Sequence, residues 1–277
     1  MNAPRTPPRL LFVLRTEQLS QHMRRIILGG PALAGFPAAS EGAHIKLLLA
    51  RPGQQTPVLP TLGPDGPVWP PPDVRPIART YTVSTYDPRA GELGIDFVLH
   101  GDDGPASRWA ARAQVGDAIG VAGPGGPPRF VPGAACYLLF GDPSALAAMA
   151  SVLAKLPANA RGHALIEVAD SSHIVDIARP QGVTLHWLIR GARHAGASTL
   201  LLNATRRLRW PAPVSVTLAG ESSQVVALRE YLLHERQVPA DAMYAVPYWK
   251  DRHTEEAYHA ERHAIMDSFE TQAITTA

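Results

Sequence analysis

The sequence predicts a two-domain protein in which an antiparallel β-barrel domain precedes an α/β domain with a parallel sheet. Three observations support this order. Short β-branched and aliphatic segments separated by turn residues fill the first 125 residues. Strand-like and helix-like segments alternate after residue 134. Between them, residues 122–134 read AGPGGPPRFVPGA, and this density of Gly and Pro marks a domain boundary. We therefore expect domains at residues 1–132 and 133–277.

Five segments of the first domain are predicted strands: RLLFVLRTEQLS, MRRIILGG, HIKLLLA, ARTYTVSTY and ELGIDFVLH. The DPRAGE segment is a hairpin-like connection between the last two. A short helix is expected over PASRWAARA, because it starts with Pro105 and continues with helix formers. Residues 52–76 form a Pro/Gly-rich loop, whose prolines exclude a central strand.

The second domain alternates predicted strands and helices. The strands are CYLLFGD, HALIEVAD, VTLHWLI, VSVTLAG and AMYAVPYW, and the helices are PSALAAMASVLAKL, GASTLLLNATRRL, SSQVVALREYLLHER and TEEAYHAERHAIMDSF. Strands separated by helices imply a parallel sheet with right-handed crossovers. Ligands of such sheets bind at the carboxyl ends of the strands. A nucleotide site is therefore allowed there, although neither G-x-G-x-x-G nor G-x-x-x-x-G-K-[ST] occurs.

Composition excludes several classes of protein. Apolar residues make up 45% and charged residues 18%, which is typical of a globular chain. The net charge of +2 and the lack of a basic run argue against nucleic-acid binding. No apolar run approaches the roughly 20 residues of a membrane-spanning helix, and the N-terminus shows no secretory signal, so we expect a cytoplasmic protein. The single cysteine, Cys136, excludes an internal disulfide and an iron–sulfur site.

The RTYTVS segment has the residues that a flavin dinucleotide needs. Arg79 and Tyr81 are two apart on a predicted strand, so their side chains share one face. Arg79 suits a phosphate, and the Tyr81 ring suits the isoalloxazine. The Thr82 hydroxyl or backbone is placed to address flavin N5. R-x-Y-[ST] alone is a weak signal, because a strand tyrosine is usually a packing residue.

The predicted helix start at Pro105 supplies a second part of such a site. The N–H groups of Ala106 and Ser107 lack intrahelical acceptors there, and the helix dipole favours an anion. The small side chains let a pyrophosphate approach the backbone closely.

The segment RTYTVSTYDPRAGELGIDFVLHGDDGPASRWAARAQVGDAIGVAGPGG resembles the FAD-binding half of the siderophore-interacting protein family. These are NAD(P)H-dependent ferric-siderophore reductases of the ferredoxin-reductase-like superfamily. The resemblance continues through HIKLLLA, LLFGDPSALAAM, LIEVAD, LAGESSQVVALREYLL and YWKDRHTEEAYH, and covers nearly the whole chain. It implies an FAD-binding barrel, then an NAD(P)H-binding α/β domain with a C-terminal helix.

The resemblance also implies the activity. NAD(P)H reduces FAD, and the flavin passes electrons to Fe(III) in a ferric siderophore, which releases Fe(II) in the cytoplasm. No side chain is expected to act as a catalytic acid or base. The alternatives are a general flavin reductase with a ferredoxin-like protein partner, and a non-catalytic flavin-bound siderophore carrier.

Cofactor contacts follow from the same resemblance. Val98 and His100 are expected on one strand face along the ribityl and phosphate groups, with Arg79, Tyr81 and Thr82 in the flavin roles above. The expected nicotinamide contacts are Asp142, Ser144, Ala145, Gly220 and Glu221. Ser84 departs from the family, because members often have an arginine there.

The choice of donor stays open. Glu167 and Asp170 stand where an acidic side chain would accept a hydrogen bond from a ribose hydroxyl, which favours NADH. Arg190 and Arg193 argue for the additional phosphate of NADPH.

Two of only three lysines match family positions associated with siderophore attraction, namely Lys46 and Lys250. A lysine is a flexible point charge, which suits anionic ligands of varied shape. Some members have an arginine where this chain has Gly125, so a complete basic triad is in doubt unless Arg129 compensates.

Two features of the C-terminal region complete the predictions. His259 and His263 stand four apart on the last helix, but without a convergent carboxylate or cysteine we expect no metal site. Trp249 either stacks near the flavin or anchors the last helix, and we favour anchoring.

Overall fold

The computed structural model describes residues 6–64, 66–101 and 104–275. The chain forms two compact units, Met1–Pro127 and Pro128–Ala277. Residues 128–132 thus lie in the second unit, where the N–H of Val131 donates to Ser215 Oγ at 2.9 Å.

The first unit is a closed antiparallel barrel with one helix, as predicted. Its elements are β1 (Arg9–Ser20), β2 (Met23–Gly29), β3 (His44–Leu49), β4 (Thr61–Gly63), β5 (Gly66–Val68), β6 (Ile77–Asp87), β7 (Glu92–Val98), α1 (Pro105–Arg112) and β8 (Ala118–Ala122). The barrel order is β1-β2-β7-β6-β3-β8, and β8 closes it by pairing with β1. The strands β4 and β5 form a separate two-stranded ribbon inside the Pro/Gly-rich loop.

The barrel core is filled by alternate strand residues and by one face of α1. Ile45 and Leu47 of β3 and Phe97 of β7 are buried in it. Ala106 and Ala110 of α1 belong to the same cluster, so small side chains let the helix lie close to the barrel. The N-terminus of α1 is thereby held in a fixed place next to β7.

The second unit is a five-stranded parallel sheet with helices, again as predicted. Its elements are β9 (Cys136–Gly141), α2 (Leu146–Lys155), β10 (Arg161–Val168), β11 (Gly182–Ile189), α3 (Leu200–Arg207), β12 (Val214–Glu221), α4 (Ser222–Glu230), β13 (Met243–Trp249) and α5 (Glu255–Thr275). In the part of the chain that the structure describes, no helix has both the length and the apolar character needed to cross a bilayer.

The strand order β11-β10-β9-β12-β13 reverses direction at the centre of the sheet. From β9 the chain proceeds outward through β10 and β11, then returns to place β12 on the other side of β9. Helices α3, α4 and α5 pack on the face of Phe140. Gly141, on the opposite face, lies against Met149 of α2. The connections after β9 and β12 therefore leave on opposite faces, which opens a crevice between their carboxyl ends.

Candidate functional site

Arg79 and Tyr81 share the inner face of β6, in agreement with their spacing. Their partners across the ladder are the buried core residues Leu47 and Ile45. The Tyr81 ring lies against Phe97, with centroids 4.5 Å apart and planes inclined by 39°. The half-buried Tyr81 ring is therefore held by the core on one side.

The neighbouring residues of β6 face the other way. Thr80 and Thr82 pair with Lys46 and His44 of β3, and Lys46 Nζ donates to Thr80 Oγ1 at 2.5 Å. The Thr82 hydroxyl thus leaves the strand opposite the Tyr81 ring. Of the two predicted modes for Thr82, the hydroxyl lies on the face away from Tyr81, and contact of the Thr82 backbone with flavin N5 stays a prediction.

The first turn of α1 contains the buried hydroxyl of Ser107 and backbone N–H groups that have no acceptor within the helix. Ser107 Oγ accepts from the N–H of His100 at 3.1 Å and donates to the carbonyl of Gly101 at 3.0 Å. Ser107 is only 1% exposed, so its hydroxyl stabilises the turn before the helix. The backbone N–H groups of Ala106 and Ser107 lie in the first turn, where an α-helix supplies no acceptor. The anion site predicted here therefore depends on these N–H groups.

His100 does not lie on the strand with Val98, because β7 ends at Val98. It lies in the following turn, and its ring rests against Gly104. A Cβ on Gly104 would stand 2.8 Å from His100 Cε1, so glycine lets the imidazole lie beside the helix start. Asp102 and Asp103 of the same segment are outside the described residues.

In the second unit, the Asp142 carboxylate connects three strand ends. Oδ1 accepts from the N–H and the hydroxyl of Ser144, at 2.8 and 2.6 Å. Oδ2 accepts from the N–H of Glu221 at 2.7 Å and from Trp249 Nε1 at 2.9 Å. Asp142 is 5% exposed, and these four donors account for its acceptor sites.

Two small residues make room for this arrangement. Gly220 has φ +133, and a Cβ there would stand 2.4 Å from Asp142 Oδ2. Ala145 is fully buried and lies under Gly141, so its side chain packs inside the sheet–helix interface. Of the predicted turn residues, Ser144 and the backbone of Gly220 remain as possible ligand contacts.

The Glu221 side chain is turned into the protein. It is 2% exposed, and its carboxylate accepts from the N–H of Gln224 at 3.1 Å and of Asp251 at 3.2 Å. Burial raises the pKa of Glu221, an effect that these hydrogen bonds partly oppose. Glu221 thus caps α4 with its side chain. The contact with a nicotinamide that was predicted for Glu221 would have to come from its backbone.

Glu167 is fully buried and engaged within the unit. Its carboxylate accepts from Ser198 Oγ at 2.6 Å and from Gln224 Nε2 at 3.2 Å, and Arg190 lies 3.5 Å away. Burial raises the pKa of Glu167, although its hydrogen bonds and the charge of Arg190 act to lower it. A ribose hydroxyl has no access to it, so the argument for NADH from Glu167 is wrong.

Asp170 is exposed and caps the turn after β10. The hydroxyl and the N–H of Ser172 lower the pKa of Asp170 to about 2. Arg190 Nε donates to the carbonyl of Arg193 at 2.6 Å, and Arg193 is an exposed residue of the segment after β11.

The two lysines differ in their surroundings. Lys250 Nζ forms an ion pair with Glu261 Oε1 of α5 at 2.5 Å. Lys46 is exposed on β3, in the other unit. The ring of His44 occupies the space beside Gly125, since a Cβ on Gly125 would stand 2.0 Å from it. Gly125 thus accommodates a histidine that sequence reasoning did not single out. The sequence signal for His44 was its position two residues before Lys46, which places both side chains on the same face of β3.

The structure gives the surroundings of the residues singled out near the C-terminus. The Trp249 indole bonds to Asp142, whereas α5 is held by Tyr258, which donates to Ser222 Oγ at 2.7 Å. His259 and His263 lie on the exposed side of α5 with ring centroids 4.5 Å apart. Among the described residues, no third ligand joins them in a metal-binding group.

The family model for the siderophore-interacting FAD-binding domain matches residues 12–128, and the model for the siderophore-interacting protein matches residues 134–252. The chain belongs to the siderophore-interacting protein family. The family predicted from the sequence is thus confirmed, together with the FAD-binding barrel.

Named relatives of this family cover most of the chain. The ferric vibriobactin reductase ViuB of Vibrio cholerae is 38% identical over 266 residues, which span 95% of this chain and 97% of ViuB. An NADPH-dependent ferric-chelate reductase of Escherichia coli is 39% identical over 68% of this chain and 76% of its own length. The crystal structure of the siderophore-interacting protein SipS from Aeromonas hydrophila superposes with a TM-score of 0.82 at 38% identity, covering 95% of this chain and 100% of SipS.

Proposed function

We propose that this chain is an FAD-dependent NAD(P)H:ferric-siderophore oxidoreductase. The observation that carries the proposal is the match of both halves to one family, with each half containing the geometry that its cofactor needs. In the barrel, α1 packs on β7, which pairs with the R-x-Y-T strand β6, and the parallel sheet has a crevice at its centre. Relatives named as ferric-chelate reductases support the same reaction.

The residues of the barrel fit FAD. The first turn of α1 offers the N–H groups of Ala106 and Ser107 to the pyrophosphate, and Gly104 removes the side chain that would displace His100. Arg79 adds a cation on the face of β6 that also carries Tyr81. In this assignment, the Tyr81 ring, already braced by Phe97, supports the isoalloxazine.

Bound FAD would accept a hydride from NAD(P)H and return the electrons one at a time. Per molecule of NAD(P)H, two Fe(III) become two Fe(II), and one proton and NAD(P)⁺ are formed. Reduction weakens the hold of hard oxygen chelators on the metal, so the iron leaves its siderophore. The chain itself contributes binding, orientation and charge.

The second unit would bind the donor at the crevice between β9 and β12. Backbone groups at Gly220 and Ser144 border this crevice, and Glu167 does not reach it. The exposed Arg193 follows β11, which is separated from β9 by β10, and would attract the additional phosphate of NADPH from there. We therefore propose NADPH as the preferred donor, as in the named relative from E. coli.

The ferric siderophore would be attracted by Lys46, with the imidazole of His44 next to it on the same face of β3. Lys250 would contribute a second positive charge, which Glu261 partly offsets. We also propose that the reaction takes place in the cytoplasm, where NADPH and the released Fe(II) are both retained.

Anaerobic half-reactions test the function. The purified protein is expected to be yellow, to bleach on addition of NADPH, and to regain its colour when ferric vibriobactin is added with a ferrous chelator as trap. Bleaching without trapped Fe(II), together with reduction of a ferredoxin, would instead identify a general flavin reductase. A flavin that neither NADPH nor NADH bleaches would identify a carrier, and a protein that takes up no FAD would refute the proposal.

A further inference from the structure

We propose that Asp142 is a positioning residue that fixes the indole of Trp249 as the wall on which the nicotinamide ring of the donor stacks. The inference rests on the proposed function and names the aromatic surface of its donor site.

The topology of the sheet places both residues at the crevice. The strand order reverses between β9 and β12, and ligands of open parallel sheets bind at the carboxyl ends of the strands beside such a reversal. Asp142 directly follows β9, and Gly220 lies near the end of β12. Trp249 ends β13, where it stands in register with Glu221 after a one-residue register shift at Tyr248.

Asp142 itself is unsuited to contact the ligand. Its four accepted hydrogen bonds occupy both carboxylate oxygens, and the side chain is 5% exposed. A ligand donor would have to displace one of them. Asp142 therefore acts through the groups it holds, of which Trp249 carries the only large flat surface.

Trp249 has the features of an aromatic surface whose orientation is fixed by a hydrogen bond. Its N–H is satisfied by Asp142 Oδ2 at 2.9 Å, as the N–H of a partly buried tryptophan requires. The ring is half-buried, so part of its surface remains accessible at the end of β13. An indole suits the flat nicotinamide, and its π-face also attracts the positive charge of the oxidised ring.

The hydrogen bond is not required to attach α5. That helix is tied by Tyr258 to Ser222, and the buried Arg229 lies over the ring of Phe269 at 4.1 Å. The effect of the bond is to restrict the indole to one orientation before the ligand arrives, which reduces the ordering cost of binding.

A double-mutant cycle on NADP⁺ binding tests the inference, with dissociation constants measured by calorimetry on the FAD-loaded protein. Trp249→Leu is expected to raise the dissociation constant about five- to tenfold through loss of the aromatic contact. Asp142→Asn is expected to raise it about threefold in the wild-type background, and to add nothing in the Trp249→Leu background.

Other variants separate positioning from general damage. Trp249→Phe keeps a ring but lacks the N–H, so it should raise the dissociation constant about as much as Asp142→Asn does. It tests the hydrogen bond as a single variant if Asp142→Asn fails to fold. Trp187→Leu in β11 and Asp117→Asn in a turn of the barrel are controls for the same chemical changes elsewhere. Both should leave NADP⁺ binding unchanged.

Two results would overturn the inference. One is an unchanged dissociation constant in Trp249→Leu. The other is an equal loss from Asp142→Asn in both backgrounds, which would show that Asp142 only supports the fold. The two control variants, Trp187→Leu and Asp117→Asn, should also keep the wild-type rate at which ferric vibriobactin reoxidises the dithionite-reduced enzyme. If the wild-type protein neither binds NADP⁺ nor bleaches with NADPH, the proposed function has failed instead.

Discussion

At the scale of single residues, the second unit shows how burial and hydrogen bonding set the charge of a carboxylate. Glu167 and Glu221 are almost inaccessible, and desolvation raises the pKa of both despite their donors. Asp170 is exposed, and hydrogen bonds from Ser172 lower its pKa to about 2. Carboxylates near the ends of β10 and β12 therefore have pKa values that are shifted in opposite directions.

The raised pKa of Glu167 predicts a pH-dependent effect of Glu167→Gln. Between the ordinary value of 4.5 and its raised pKa, the folded state binds more protons than the unfolded state, so stability falls as pH rises. The variant lacks this titration. Urea unfolding should therefore show the variant gaining stability relative to wild type between pH 4.5 and pH 7. The exposed Glu270→Gln is the matched control for the same chemical change. Stability curves of Glu167→Gln and wild type that run parallel in this pH range would refute the assignment.

Tyr81 provides a direct test of the flavin site. Tyr81→Ala removes the ring that we assign to the isoalloxazine, and should lower the flavin content of the purified protein, measured as absorbance at the flavin band relative to 280 nm. Tyr81→Phe keeps the contact with Phe97 and should retain FAD. A folded Tyr81→Ala variant with wild-type flavin content would count against the stacking role.

The two lysines are expected to attract the substrate by charge. Lys46→Ala should raise the KM for an anionic ferric siderophore and flatten its dependence on salt. Lys250→Ala should change the KM in the same direction, although Glu261 already offsets part of the Lys250 charge. Glu261→Gln should lower the KM at low salt. Steady-state kinetics at several ionic strengths measures all three, and identical KM values for Lys46→Ala and wild type would remove Lys46 from the substrate site.

At the scale of elements, the turn from β7 to α1 holds the proposed pyrophosphate site in shape. The buried Ser107 hydroxyl bridges the N–H of His100 and the carbonyl of Gly101. Ser107→Ala leaves both backbone groups without this partner and should reduce stability by about 1–3 kcal/mol. Chemical denaturation measures the loss. Ser223→Ala, an exposed serine in the first turn of α4, is the control, and an equal small effect in both would show that the bridge is unimportant.

Local sequence patterns predicted most of the helices and strands, but not the closure of the barrel. Alternating and aliphatic runs revealed β1, β2, β3, β6 and β7, whereas β8 was missed because it is five residues long and contains Gly120. Its pairing with β1 and β3 is long-range and leaves no local signal. For the same reason, the sequence located the α1 start but not the end of β7 before His100.

For the proposed donor site, the sequence indicated which strand ends to consider, but not how their side chains are oriented. The rule that ligands bind at carboxyl strand ends led to Asp142 and Glu221. Whether their carboxylates face a ligand depends on donors far away in the chain, such as Trp249 for Asp142. Such contacts are fixed only when the strands assemble in the order β9-β12-β13.

At the scale of the whole molecule, the two units separate the tasks that the proposed reaction requires. The barrel has the features of a flavin site, and the sheet has those of a donor site, each built from its own residues. A protein with this division should consume two-electron donors and deliver single electrons, without a side chain that transfers protons to the substrate.

This division predicts the stoichiometry of the complete reaction. Under anaerobic conditions, each NADPH oxidised should yield two Fe(II) caught by a ferrous chelator, because a hydride carries two electrons and Fe(III) accepts one. The ratio should stay at two in Lys46→Ala, which changes only how often the ferric siderophore binds, while the rate falls at low substrate. Comparison of NADPH loss at 340 nm with the colour of the Fe(II) complex measures it. A ratio well below two without oxygen would show that the electrons reach another acceptor, as a reductase for a protein partner would require.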